Sequence, residues 1–288
     1  MSANRAASVQ ARLLNLARAS GEDFNLVLNR YATERWLYRL SQTPERERLW
    51  LKGALLFQLW FDAPHRPTRD ADFLGFGPVD ADALRTTIET VCRVTSDDGV
   101  QFDAGSIRVE EIREEANYGG LRVRLVGQLG QARCSVQLDV GYGDAVTPGV
   151  DEIQYPTLLD DTPAPRLKAY PRATVFAEKL EAIASIGMAN TRLKDYYDLR
   201  ALVREGALDS SMLGDAIAAT FERRRTPLPD GLPLGLTDAF ANDASRITQW
   251  KAFLGKNGLT APPLADAIAE IAGFVAEPLR RARERGRP

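Results

Sequence analysis

The chain has 288 residues, of which 44 % are hydrophobic and 26 % charged, with a formal net charge of −2. That length can bury a core without covalent staples and fits one large domain or two moderate ones. Two Cys (Cys92, Cys134) and a single His (His65) exclude a disulfide framework and a Cys/His zinc site, and disfavour histidine acid–base catalysis. Any chemistry in this chain is therefore expected to use carboxylates, Arg, Lys and metal ions. No run reaches the ~20 apolar residues of a membrane span. The first residues lack the apolar core and small-residue cleavage site of a signal peptide, so a cytoplasmic location is expected.

In chain order, 5–19 and 23–41 carry apolar residues three and four apart and predict helices, the second capped by Ser20 or Asp23. The apolar run 49–61 predicts a short buried turn leading into a helix, and 61–68, with two Pro, a loop. A strand is expected at 69–76 and a helix at 81–92. From 100 to 146 the period becomes two, with strands broken by turns at Gly119-Gly120 and Gly127–Gly130. Residues 147–171 hold Pro148, Pro156, Pro163, Pro165 and Pro171 and predict a linker laid over the surface. Beyond it the pattern is helical, at 172–187, 192–205, 209–225, 237–254 and 262–285. The expected division is an α/β domain over 1–165 and a helical domain over 166–288.

Asp70-Ala71-Asp72 opens the strand at 69–76. Residues i and i+2 of a strand share a face about 7 Å apart, so the two carboxylates converge and repel. A divalent cation relieves that repulsion, and Mg²⁺ commonly takes one or two protein carboxylates. Asp139 ends the run 134–139 on the face opposite Val136 and Leu138, and would join them if the two strands are neighbours. The competing reading is a solvated strand edge. Upstream, Gly53-Ala54 at the expected helix start would let backbone N–H groups reach a phosphate, or would serve tight packing. Lys179 lies off the centre of a helical apolar stripe, either reaching a phosphate or pairing with Glu178 or Glu181. Arg192, Lys194, Asp195 and Asp198 could pair along their own helix as 192–195 and 194–198, while Tyr196 and Tyr197 could stack a base. The Arg clusters 223–225 and 280–287 suit RNA phosphates or a plain solvated surface.

A Gly–small pair opening a helix, a strand with Asp-x-Asp and a later strand with one more Asp is the pattern of polymerase-β-type nucleotidyltransferases. The stretches 34–40, 51–57, 65–73, 137–144, 177–182 and 190–199 together resemble the AbiEii/AbiGii-type nucleotidyltransferase toxins, MenT-like toxins included, of AbiE-type, type IV toxin–antitoxin systems. The resemblance implies an α+β fold: a polymerase-β-like nucleotidyltransferase domain, with a mixed sheet and flanking helices, followed by an α-helical bundle. It implies a catalytic set of Asp70, Asp72, Asp139, Lys179 and Asp195, with Asp70, Asp72 and Asp139 holding Mg²⁺ or Mn²⁺. Lys52, Gly53, Ala54, Arg66, Thr68, Arg192, Lys194 and Asp198 would bind substrate. The implied partners are an NTP, an RNA acceptor, first of all the tRNA 3′ end, and a separately encoded antitoxin, with the chain a monomer. Gly53-Ala54 departs from the Gly-Gly or Gly-Ser of many nucleotidyltransferases, so no hydroxyl is offered there. A small-molecule nucleotidyltransferase and a non-catalytic RNA- or protein-binding module are the alternatives.

Overall fold

The computed structural model describes residues 3–61, 65–113 and 119–285. Its contacts divide the chain into two compact units. One comprises the chain up to Gly143 together with Asp151–Ala169, and the other comprises Asp144–Val150 and the chain from Tyr170 onward.

The first unit is a seven-stranded mixed sheet with helices. It holds α1 (Ala3–Ser20), α2 (Phe24–Ser41), β1 (Leu49–Lys52), the single turn α3 (Phe57–Trp60), β2 (Asp70–Gly75) and α4 (Ala81–Cys92). It continues with β3 (Val100–Arg113), β4 (Gly119–Leu129), β5 (Ala132–Tyr142), β6 (Asp151–Gln154) and β7 (Arg166–Ala169). The strand order is β3-β4-β5-β2-β1-β7-β6. Strand β2 runs parallel to β5 and antiparallel to β1, and β1 runs parallel to β7. Strict alternation builds the core face: Cys134, Val136, Leu138 and Val140 of β5 are buried beside Leu121, Val123 and Leu125 of β4. Trp36 of α2 meets Phe73 of β2 on that face, edge to face at 5.9 Å. Asp23 and Asp80 cap α2 and α4 by accepting from Leu26 N and Ala83 N.

Buried charge ties α2 to the sheet. Arg39 forms a two-bond fork with Asp98 at 2.7 and 3.1 Å, and its other N–H groups donate to the carbonyls of Val94, Arg35 and Val100. Every donor of that buried guanidinium is used, which is what makes its burial tolerable.

Three expectations for this unit need correction. The run 49–61 is a strand first, then a 3₁₀ turn at Gly53–Leu56, and only one turn of helix. A strand of four residues is too short for its alternation to be told from the start of a helix within a longer apolar run. The stretch 147–171 is not a linker, because it contains β6 and β7, which complete the sheet. Four-residue strands between prolines show no alternation to read, and Leu51 pairs with Ala169 across more than a hundred residues of chain. Gly119 and Gly120 start β4 instead of forming a turn, and the β4–β5 reversal turns at Gly130, φ +60°. Part of the loop expected at 61–68 lies outside the described residues. His65 stacks on Phe57 at 4.4 Å and on Phe61 at 5.4 Å, a packing role.

The second unit is helical: α5 (Arg172–Ile186), α6 (Leu193–Glu205), α7 (Ser210–Arg224), the single turn α8 (Asp238–Ala241), α9 (Ala244–Asn257) and α10 (Leu264–Arg285). The helix expected at 237–254 breaks at Asn242 because Asp243 turns its side chain onto Arg246 N and starts α9 as its cap. Tyr196 stacks on Phe240 at 5.2 Å, and Tyr197 meets Trp250 and Phe253. These rings therefore make contacts between helices, Tyr196 buried and Tyr197 half-buried.

Candidate active site

The sheet sets the acidic residues by register. Asp72 of β2 pairs with Asp139 of β5, and Asp70 pairs with Gln137. Paired residues share a face, so Asp70, Asp72 and Asp139 lie on the polar side of the sheet, opposite the core. Lys52, the last residue of β1, pairs with Asp72 from the other side. The chain then turns through Gly53, whose φ is +71°. A Cβ on Gly53 would lie 2.2 Å from Asp72 Oδ2 and 2.8 Å from its Cγ. Glycine is required there twice over, for the backbone conformation and for the carboxylate packed against it. Ala54 follows in a 3₁₀ turn of four residues, so the phosphate-facing helix start expected at 53–54 is a tight turn with little helix behind it. Ahead of β2, Arg66 is half-buried. Thr68 donates to the Asp70 carbonyl at 3.4 Å and lines a small cleft with Leu55, Glu34 and Tyr155.

Asp139 has a partner that the sequence reading missed. Arg122 of β4 stands opposite it in register and donates from Nε to Oδ1 at 2.8 Å and from Nη2 to Oδ2 at 2.6 Å. These hydrogen bonds hold the guanidinium above its ordinary pKa, with Asp70 adding to the effect. Among the described residues no group of three His, Cys, Asp or Glu side chains is set to hold a metal ion. The oxygen-only pair Asp70 and Asp72, on one face two residues apart, suits a hard divalent cation. The signal for Arg122 was its even spacing with Arg124 along β4, visible only once the register with Asp139 is known.

In the second unit, Lys179 of α5 sits between Asp195 Oδ1 at 2.8 Å and Asp198 Oδ2 at 2.7 Å, both carboxylates fully buried. Glu178 and Glu181 pair instead with Arg224, which also reaches Asp144. Burial alone would raise the Asp195 carboxyl, but Lys179 and Arg192 outweigh it and hold the pKa below the ordinary value. Arg192 pairs with Asp195 at 2.8 Å as its spacing allowed. Asp198 takes Lys179 of α5, and Lys194 is exposed. The Arg clusters are largely committed within the chain. Arg224 is bound to three carboxylates, Arg280 to Glu277 and Glu284, Arg281 to Glu277, and Arg285 to Asp215. Arg287 lies outside the described residues.

A mixed sheet with Asp-x-Asp on a central strand, a glycine turn packed on the second Asp and an attached helical unit is that of a nucleotidyltransferase. The family described as the nucleotidyl transferase AbiEii toxin of type IV toxin–antitoxin systems matches residues 35–273, and the chain belongs to it. It is thus a nucleotidyltransferase toxin of such a system, a class that moves a nucleoside monophosphate from an NTP and releases pyrophosphate. The fold is shared with JHP933 from Helicobacter pylori, at TM-score 0.50 and 15 % identity, over 90 % of this chain and 94 % of that one. It is shared equally with an H. pylori protein assigned as a nucleotidyltransferase, at TM-score 0.50 and 14 % identity, over 89 % and 96 %. Among curated proteins no sequence matches the chain. Among the described residues no helix is long and apolar enough to cross a membrane.

Proposed function

We propose that the chain transfers a nucleoside monophosphate from an NTP to an RNA hydroxyl, the tRNA 3′ end first, and so stops translation until a cognate antitoxin intervenes. The observation that carries this reading is Asp70 and Asp72 on one strand face with the Asp72 carboxylate packed against Gly53. Asp70 and Asp72 would hold Mg²⁺ or Mn²⁺, with Asp139 on the same face. Such a cation, when bound, supplies charge neutralisation at phosphate oxygens and a more acidic acceptor hydroxyl. The Gly53 and Ala54 amides and Lys52 offer donors and charge to a triphosphate beside those carboxylates. Lys179, Asp195, Asp198, Arg192 and Lys194 form the second group of functional residues in this reading, and Arg66 and Thr68 flank the approach to β2. A 3′-blocked tRNA cannot be aminoacylated, which fits a toxin.

The test is incubation with total tRNA, Mg²⁺ and each labelled NTP in turn. Label is expected in the tRNA band, and Asp72→Ala is expected to abolish it while the protein stays folded. Label found only on small hydroxyl compounds, or transfer retained by the variant, overturns the reading.

A further inference from the structure

We infer that Arg122 is a positioning residue of the acidic face: its fork holds Asp139 and leaves the divalent cation to Asp70 and Asp72. The inference deepens the nucleotidyl-transfer reading and rests on it.

Across β1, β2, β5 and β4 one row of paired residues runs Lys52, Asp72, Asp139, Arg122. All four are fixed by regular strand pairing, so the Arg stands beside the acid by fold and not by chance rotamer. Both Asp139 oxygens accept from Arg122, and Gln137 Nε2 approaches Oδ1 at 3.4 Å. A bidentate Arg–carboxylate pair is among the stronger polar contacts, and a cation claiming Asp139 would have to break two charge-assisted bonds. Asp139 is 15 % exposed and Arg122 29 %, so water screens this pair only in part. Asp70 also draws on the same guanidinium. Arg122 therefore supplies, as a fixed side chain, positive charge that a second cation would otherwise bring to three crowded acids. The site is built for one cation on two carboxylates.

Mn²⁺ titration of the full chain by calorimetry, with circular dichroism to verify folding, separates the possibilities. The wild type is expected to bind one Mn²⁺ per chain. Asp72→Asn weakens binding by at least about tenfold, whereas Asp139→Asn changes it by no more than about twofold. Arg122→Met frees Asp139 and gains a second equivalent of Mn²⁺ or at least about threefold in affinity, and Arg122→Lys lies between, since Lys neutralises the acid without a fork. Asp139→Asn weakening Mn²⁺ as much as Asp72→Asn makes Asp139 a ligand and overturns this inference while leaving nucleotidyl transfer standing. Arg122→Met binding Mn²⁺ as the wild type does overturns it as well. A wild-type chain that binds no Mn²⁺ overturns the metal reading and this inference together.

Discussion

Gly53 shows how one residue can serve backbone and chemistry at once. An Ala at φ +71° is strained by about 1–2 kcal/mol, and its methyl would also displace the Asp72 carboxylate. Gly53→Ala is therefore expected to lower transfer on the order of 100-fold, since small misplacements of a reacting group are that costly, with a modest fall in melting temperature. Full activity in that variant would remove the glycine from the site. Lys179 carries a different balance. Removing it takes the ammonium from two fully buried carboxylates, of which Asp195 keeps Arg192, so Lys179→Ala should destabilise the protein by about 3 kcal/mol besides reducing activity. Spacing alone offers Lys179 a phosphate or a pairing with Glu178 or Glu181, neither of which implies such a loss, and a melting curve on the variant decides. Glu34 gives the clearest pH signature. Burial pushes its carboxyl up from 4.5 to about 7, against the opposing pull of Arg35 and the Leu158 amide. The folded state thus holds this proton more tightly than the unfolded chain. Its contribution is fully present below pH 4.5 and is lost as pH rises to about 7, a fall of about 2–3 kcal/mol. Glu34→Gln should flatten that slope in denaturant titrations across the window.

Elements in this protein are set by caps and by pairing in different proportions. Asp243 starts α9 and splits a segment whose apolar spacing reads as one helix; Asp243→Ala should weaken the cap by about 0.5–2 kcal/mol, measurable as a shift in denaturant midpoint. Helices such as α4 and α7 were legible because apolar spacing and an Asp cap agree at the same residues. Strands β3 to β5 were legible by their alternation. Strands β1, β6 and β7 were not, since each is four residues long and exists only through partners distant in sequence. Register, not distance, hid Arg122. Its significance depends on Asp139 lying opposite it, and no spacing within β4 or β5 reveals that register.

Over the molecule as a whole, the near-zero net charge conceals local neutralisation. Arg224 is an example. Burial alone would lower its pKa, yet Glu178, Asp144 and Glu181 together raise it above the ordinary value. The C-terminal Arg residues, read from sequence as a basic tail, are mostly engaged by nearby carboxylates, and Arg283 donates to the Pro229 carbonyl at 2.8 Å. Truncation after Leu279 removes Arg283, Arg285 and the buried Ala282. The expected result is a lower melting temperature; an unchanged one would return the tail to the role of a solvated, RNA-facing end.

The amino-acid order alone determined the Asp-x-Asp pair, the helical second half and the family, because these rest on residue identity and on periods of two and 3.6 that are local. Only the tertiary structure decided that β1 and β7 thread the sheet, that Asp139 meets Arg122 and that Lys179 is locked between Asp195 and Asp198. The first joins residues more than a hundred apart, and the other two join neighbouring elements whose register and packing leave no periodic trace within either element.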